Sequence, residues 1–162
     1  MIKKPYARYV SSVCLFLTKK TGKETFVLLQ KRQNTGFADG WWEAGAAGHV
    51  DHGENMTQAL VHEAKEELGI ELKATDLQFA CLNCKNVANY QFTTPQSKKD
   101  LAYYIAYFVC NKWKKTIKIG EPNKCSELKW FNIKHLPKQL IADRKQALVN
   151  YQKGIYYFNF NW

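Results

Sequence analysis

Glu63, Glu66 and Glu67 stand three and four residues apart in "HEAKEELGI". In a helix each residue turns about 100°, so the three carboxylates share a single arc of about 100°. Leu60, Val61, Ala64 and Leu68 fill the neighbouring arc, which would bury an apolar stripe and present the acids beside it. Like charges so spaced repel by about 0.2–0.5 kcal/mol per pair on an open helix, and by more where partly desolvated. Two answers to that repulsion stay open. One is a solvated acidic face softened by Lys65 and His62. The other is a hard dication such as Mg²⁺, or Mn²⁺ in its stead, which takes oxygen ligands from carboxylates, water and a substrate's own phosphates.

The segment ahead of the acids favours the second answer. Gly45, Gly48 and Gly53 bracket "HVDH", so the backbone can come close to an ion or phosphate and offer it carbonyls or amides. Asn55 is an N-cap candidate with Gln58 three positions on, and Gly69 suits the helix end, so the spacing predicts a helix over 56–68. A glycine-rich turn, a capped helix and clustered carboxylates together suit metal-assisted phosphate chemistry.

Other segments supply the frame. "YVSSVCLFL" and "TFVLLQKR" read as a hairpin turning near Gly22, and "QNTGFADGWW" follows as a loop. "LQFACLNC", "LAYYIAYFVCNKW" and "ELKWF" read as strands, with "NYQFTTPQSKKD" a long loop between the first two. Pro137 is placed to open a C-terminal helix, "KQLIADRKQALVNYQ", facing the core with Leu140, Ile141, Ala147, Leu148 and Tyr151. The expected class is α/β with a mixed β-sheet covered by helices, one domain across residues 1–162.

Residues 48–70 resemble the Nudix box, G-x5-E-x7-R-E-U-x-E-E-x-G-U, in which U is a bulky aliphatic residue. Gly48, Glu54, Glu63, Glu66, Glu67, Gly69 and Ile70 fall on its fixed positions, and the likeness to a MutT-type bacterial subgroup runs from about residue 8 to the C-terminus. The resemblance implies an α/β/α sandwich and an Mg²⁺-dependent hydrolase of a nucleoside diphosphate linked to another group X. The leading substrate is a nucleoside triphosphate, split to monophosphate and pyrophosphate. ADP-ribose or a nucleotide sugar is the alternative within the fold, and a non-catalytic nucleotide- or RNA-binding module the alternative outside that class. By the same resemblance Glu63, Glu66 and Glu67 with the Gly48 carbonyl hold the metal, and Glu63 or Glu67 handles the water. Glu54 braces the loop, while Arg32 and Asp143 contact substrate. Trp41, Trp42, Tyr90, Phe92, Tyr103 and Tyr104 are candidates for a base-stacking wall, or simply core. His62 takes the box arginine's place without a guanidinium's fixed fork and permanent charge, and Ala64 replaces a larger aliphatic residue.

Composition narrows the partners. A formal net charge of +10 favours anionic ligands, but the lysines are scattered in ones and twos, as on a solvated surface. Charge does not choose among nucleic acid, nucleotide and membrane surface; the Nudix resemblance makes a nucleotide the expected partner, with nucleic acid and membrane not expected and a homodimer open. Five cysteines, an odd number, argue against a disulfide framework, and "CLNC" lacks a second pair to complete a zinc site. "VCLFL" is too short to cross a membrane, so the expected setting is the cytoplasm.

Overall fold

A computed structural model describes residues 9–87, 91–92 and 102–162. Strand β1 (Val10–Thr21) turns at Gly22, with φ 60°, into β2 (Glu24–Arg32), giving the expected hairpin. The short strands β3 (Trp42–Ala44) and β4 (Ala46–His49) precede helix α1 (Met56–Leu68). Then come β5 (Gln78–Asn86), β6 (Ala102–Cys110), β7 (Cys125–Asn132), helix α2 (Ala142–Lys153) and β8 (Tyr157–Phe160).

The sheet is mixed. It runs β3-β2-β1-β6-β5-β8, with β4 joined to β1 and β7 to β2. β1 pairs parallel with β6, while its first half pairs antiparallel with β4 and its end with β2. This arrangement buries β1 on both faces. Val13, Leu15 and Leu17 meet Ala59, Leu60, Ala64 and Leu68 of α1 on one side. Cys14 and Phe16 share the other core with Ala147 and Leu148 of α2. A strand buried twice has no polar alternation to keep, hence the unbroken run "VCLFL". The result is an α/β sandwich.

α1 has its expected bounds and caps. The Asn55 side chain accepts from the Gln58 N–H, the Gln58 side chain accepts from the Asn55 N–H, and Gly69 closes the helix in the left-handed region at φ 67°. α2 differs from expectation, because Pro137 does not open it. Gln139 and Ile141 instead pair their backbones with Trp42, at 2.8 and 3.0 Å, which keeps that stretch extended until Ala142. The glycine segment also differs, since Gly48 lies within β4, opposite Val13. Most of "NYQFTTPQSKKD" lies outside the described residues. All five cysteines are free and buried, and no helix among the described residues is long and apolar enough to cross a membrane.

Candidate active site

α1 and β4 meet at a cleft of about 700 Å³. Glu63, Glu66 and Glu67 all line it, beside Gly48 and His49 of β4. The reason for glycine at 48 is steric. A Cβ there would fall inside the Glu63 carboxylate, so only a bare Cα lets the helix acid lie against the strand.

Glu67 is the most enclosed of the three. Its Oε2 accepts hydrogen bonds from the Ala47 N–H at 2.8 Å and from Gln30 Nε2 at 3.2 Å. Burial pushes its carboxyl up to about 8, against those two donors, which favour the ionised form. Burial, with Glu66 beside it, pushes Glu63 up to about 7. Burial is the main cause of both shifts, and the repulsion read from the sequence adds to it, from Glu66 on Glu63 and from Glu63 on Glu67.

A fourth carboxylate joins them. Glu121 lines the same cleft and its charge raises Glu63 further. The loop carrying it is fastened to the end of α1 by the Gly120 N–H, 2.8 Å from the Glu67 carbonyl, and by the Lys118 N–H, 3.0 Å from that of Leu68. Sequence reading missed Glu121. The only local signal was the glycine before it, where a Cβ would strike the Glu66 carbonyl.

Glu54 and His62 meet at the outer end of the helix, Oε1 to Nδ1, at 2.5 Å. The contact ties the loop to α1. Arg32 also lines the cleft, leaving β2 with Nε donating to the Phe37 carbonyl at 2.8 Å and Nη1 3.7 Å from Glu43. Phe37, Phe92 and Tyr103 line the cleft as well. Trp41 meets Phe92 edge-on at 5.2 Å. Trp42 is buried against Phe131, and Tyr104 packs on Tyr9 at 4.5 Å. Tyr90 lies outside the described residues.

Asp143 is not on the cleft surface. It is fully buried, with Lys85 Nζ 3.1 Å from Oδ1, while Asn83, Tyr107 and Arg144 donate to Oδ2. Burial alone would raise its carboxyl, but Arg144 and Lys85 hold it below its ordinary range. Arg144 also grips Glu43 through Nε and Nη2 at 2.5 and 2.9 Å. Lys85, Arg144 and Glu43 reach the cleft wall where Asp143 does not.

The donor set suits a hard cation: four carboxylates on one wall and a strand whose glycine permits close approach. Among the described residues no three acid, imidazole or thiol groups already stand at metal-holding spacing, and Glu67 gives one oxygen to Ala47 and Gln30.

The NUDIX domain family matches residues 8–151. An uncharacterized Nudix hydrolase of Clostridium acetobutylicum is 38% identical over 63 residues, which is 38% of this chain and 30% of that protein. A MutT NUDIX hydrolase from Burkholderia pseudomallei superposes with a TM-score of 0.72 at 22% identity, over 89% of this chain and 98% of its own. The NUDIX domain of Shewanella oneidensis NrtR, solved with ADP ribose, gives 0.68 at 16% identity over 95% and 94%. With a family match over residues 8–151 and Gly48, Glu63, Glu66 and Glu67 gathered at one cleft, the chain belongs to the NUDIX domain family.

Proposed function

We propose that the protein is an Mg²⁺-dependent hydrolase of a nucleoside diphosphate linked to X, acting first on a nucleoside triphosphate to give monophosphate and pyrophosphate. The observation that carries this reading is one cleft lined by two unlike sets of groups. Carboxylates from α1 and Glu121 line it, and so do Arg32, Phe37 and Phe92. A nucleotide has the matching polarity, an anionic tail that recruits a cation and a flat base that packs on rings.

Glu63, Glu66 and Glu67 would hold the cation with the Gly48 carbonyl, and Glu121 lines the same cleft as a further candidate oxygen ligand. A bound Mg²⁺ or Mn²⁺ would neutralise phosphate charge and help make a nucleophile from water. The chain's own work is to place the attacking water and take its proton. Glu63, or Glu67 beside it, takes the proton as the water oxygen bonds to phosphorus and the bridging P–O bond breaks toward the leaving phosphate. The bond between His62 and Glu54 stands where the box arginine would act, so it keeps the α1 acids aligned with weaker hold. Arg32 meets phosphate from the strand side. Asp143 acts from beneath, holding Lys85 and Arg144 at the cleft wall.

The ADP-ribose held by the Shewanella domain, on the same fold, supports nucleotide–sugar diphosphates as the second substrate class. A panel of nucleoside triphosphates, ADP-ribose and nucleotide sugars, run with Mg²⁺ and again with Mn²⁺, separates the two. Glu67→Gln should lower turnover on the best substrate about 10²- to 10⁴-fold. A panel with no product, or a Glu67→Gln protein as active as the parent, ends the hydrolase reading. Nucleotide binding that survives EDTA in such an inactive protein would favour the non-catalytic module instead.

A further inference from the structure

One cation stands inside the acidic wall. Lys124 Nζ lies 2.8 Å from Glu121 Oε1, lines the cleft, and acts by charge on Glu63 and Glu67 as well. Its backbone is not free to wander. The Gly120 N–H is bonded to the Glu67 carbonyl, Gln33 Nε2 to the Pro122 carbonyl at 2.7 Å, and Asn34 Nδ2 to the Asn123 carbonyl at 3.3 Å. The side chain, by contrast, is 59% exposed on a four-carbon stem. A lysine ammonium has three donors, no acceptor and easy rotation, so it can exchange one anionic partner for another. The loop is fixed; the charge it carries can swing.

We infer that Lys124 is a tethered counter-ion of the carboxylate cluster. In the nucleotide-free protein it competes with a divalent cation for the acids, and it turns to the polyphosphate when a nucleotide enters. This rests on the metal-binding reading above and adds a linkage to it. A dication among four carboxylates makes the lysine charge surplus until a polyanion arrives, so metal alone binds against Lys124 and metal with nucleotide binds alongside it. The chain thereby disfavours a loaded metal site that has no substrate.

Calorimetric titration of Mg²⁺ and Mn²⁺ into nucleotide-free protein tests this with Lys124→Met, Lys124→Arg and, as a control for net charge, Lys153→Met at the far end of α2. Lys124→Met should bind metal roughly 3- to 10-fold more tightly than the parent, the size expected for one opposing charge several ångströms from a dication in wet surroundings. Lys124→Arg and Lys153→Met should stay within about twofold of the parent, and high salt should erase the Lys124→Met gain. At saturating metal, Lys124→Met should bind a nonhydrolysable triphosphate analogue more weakly. Unchanged or weaker metal binding by Lys124→Met overturns the inference. So does an equal gain in Lys153→Met, or unchanged analogue affinity. A parent protein that takes up no metal removes the hydrolase reading with it, whereas metal uptake indifferent to Lys124→Met removes only this inference.

Discussion

At the scale of single residues, two of the site's carboxylates, Glu63 and Glu67, are held where they resist ionising. Glu67 combines the deepest burial with two donors on one oxygen, and Glu63 lies against a bare glycine in β4. Both titrate above the ordinary carboxyl value of 4.5, near 8 and 7. The folded state therefore holds more protons than the unfolded one over that interval, and linkage makes stability fall as pH rises. The stabilisation is fully present below the unfolded carboxyl value of 4.5 and is lost as pH climbs through about 7 and then 8. Thermal melts of EDTA-treated protein should show the midpoint dropping across this interval, with Glu67→Gln flattening the drop and added Mg²⁺ offsetting it. A midpoint that rises from pH 5 to 8 without metal, as in a protein stabilised by salt-bridged acids, would contradict the desolvated environment assigned to these two groups.

At the scale of elements, α1 and the 111–124 segment build the acidic wall together. Gly120 can approach the end of α1 only because it lacks a Cβ, which would strike the Glu66 carbonyl. Gly120→Ala should push the segment away, costing about 1–3 kcal/mol by overpacking. Metal affinity should fall as well, because Glu121 moves with the segment. Asn55→Ala should cost about 1 kcal/mol by removing a helix cap, with metal affinity unchanged, since nothing at that cap reaches the acids. Melts paired with metal titrations check both, and equal metal affinity in the two variants would show that the segment's docking does not matter to the site. The contrast also explains what the sequence disclosed. α1 was legible because its determinants are local: Asn55 with Gln58, the apolar stripe, and Gly69. The hairpin was legible for the same reason. Strands of three or four residues, β3, β4 and β8, are too short to show a period, and β4 and β8 exist through partners far along the chain. The start of α2 depends on Trp42, about a hundred residues earlier, whose backbone claims Gln139 and Ile141. Glu121 was hidden because no spacing within its own segment reveals that Gly120 docks on Glu67.

At the scale of the whole molecule, a buried chain of charges joins the second core to the cleft. Glu43 on β3, Arg144 and Asp143 on α2, and Lys85 on β5 are linked carboxylate to cation in sequence, with Tyr107 of β6 and Asn83 of β5 donating to Asp143. Each member is at least nine-tenths buried, so each charge depends on the others for what water would otherwise supply. The sequence showed only "LIADR" and offered Asp143 as a candidate contact to substrate. The fold makes it the anion that two cleft-lining cations lean on. The two roles predict different failures. A surface contact, when lost, would raise KM and leave the melt unchanged. Asp143→Ala in a buried chain leaves Lys85 without its anion and Arg144 with Glu43 alone, at a cost of about 3–5 kcal/mol. For a domain of this size that lowers the melting midpoint by roughly 6–20 °C. Asp143→Asn keeps the shape and some hydrogen bonds, so it should lose less than the alanine variant while still releasing Lys85. Comparing melts of the two variants with KM on the best substrate decides between the roles. A well-folded Asp143→Ala protein, unchanged in midpoint and altered only in KM, would move Asp143 from the interior of this network to the substrate's side of the wall.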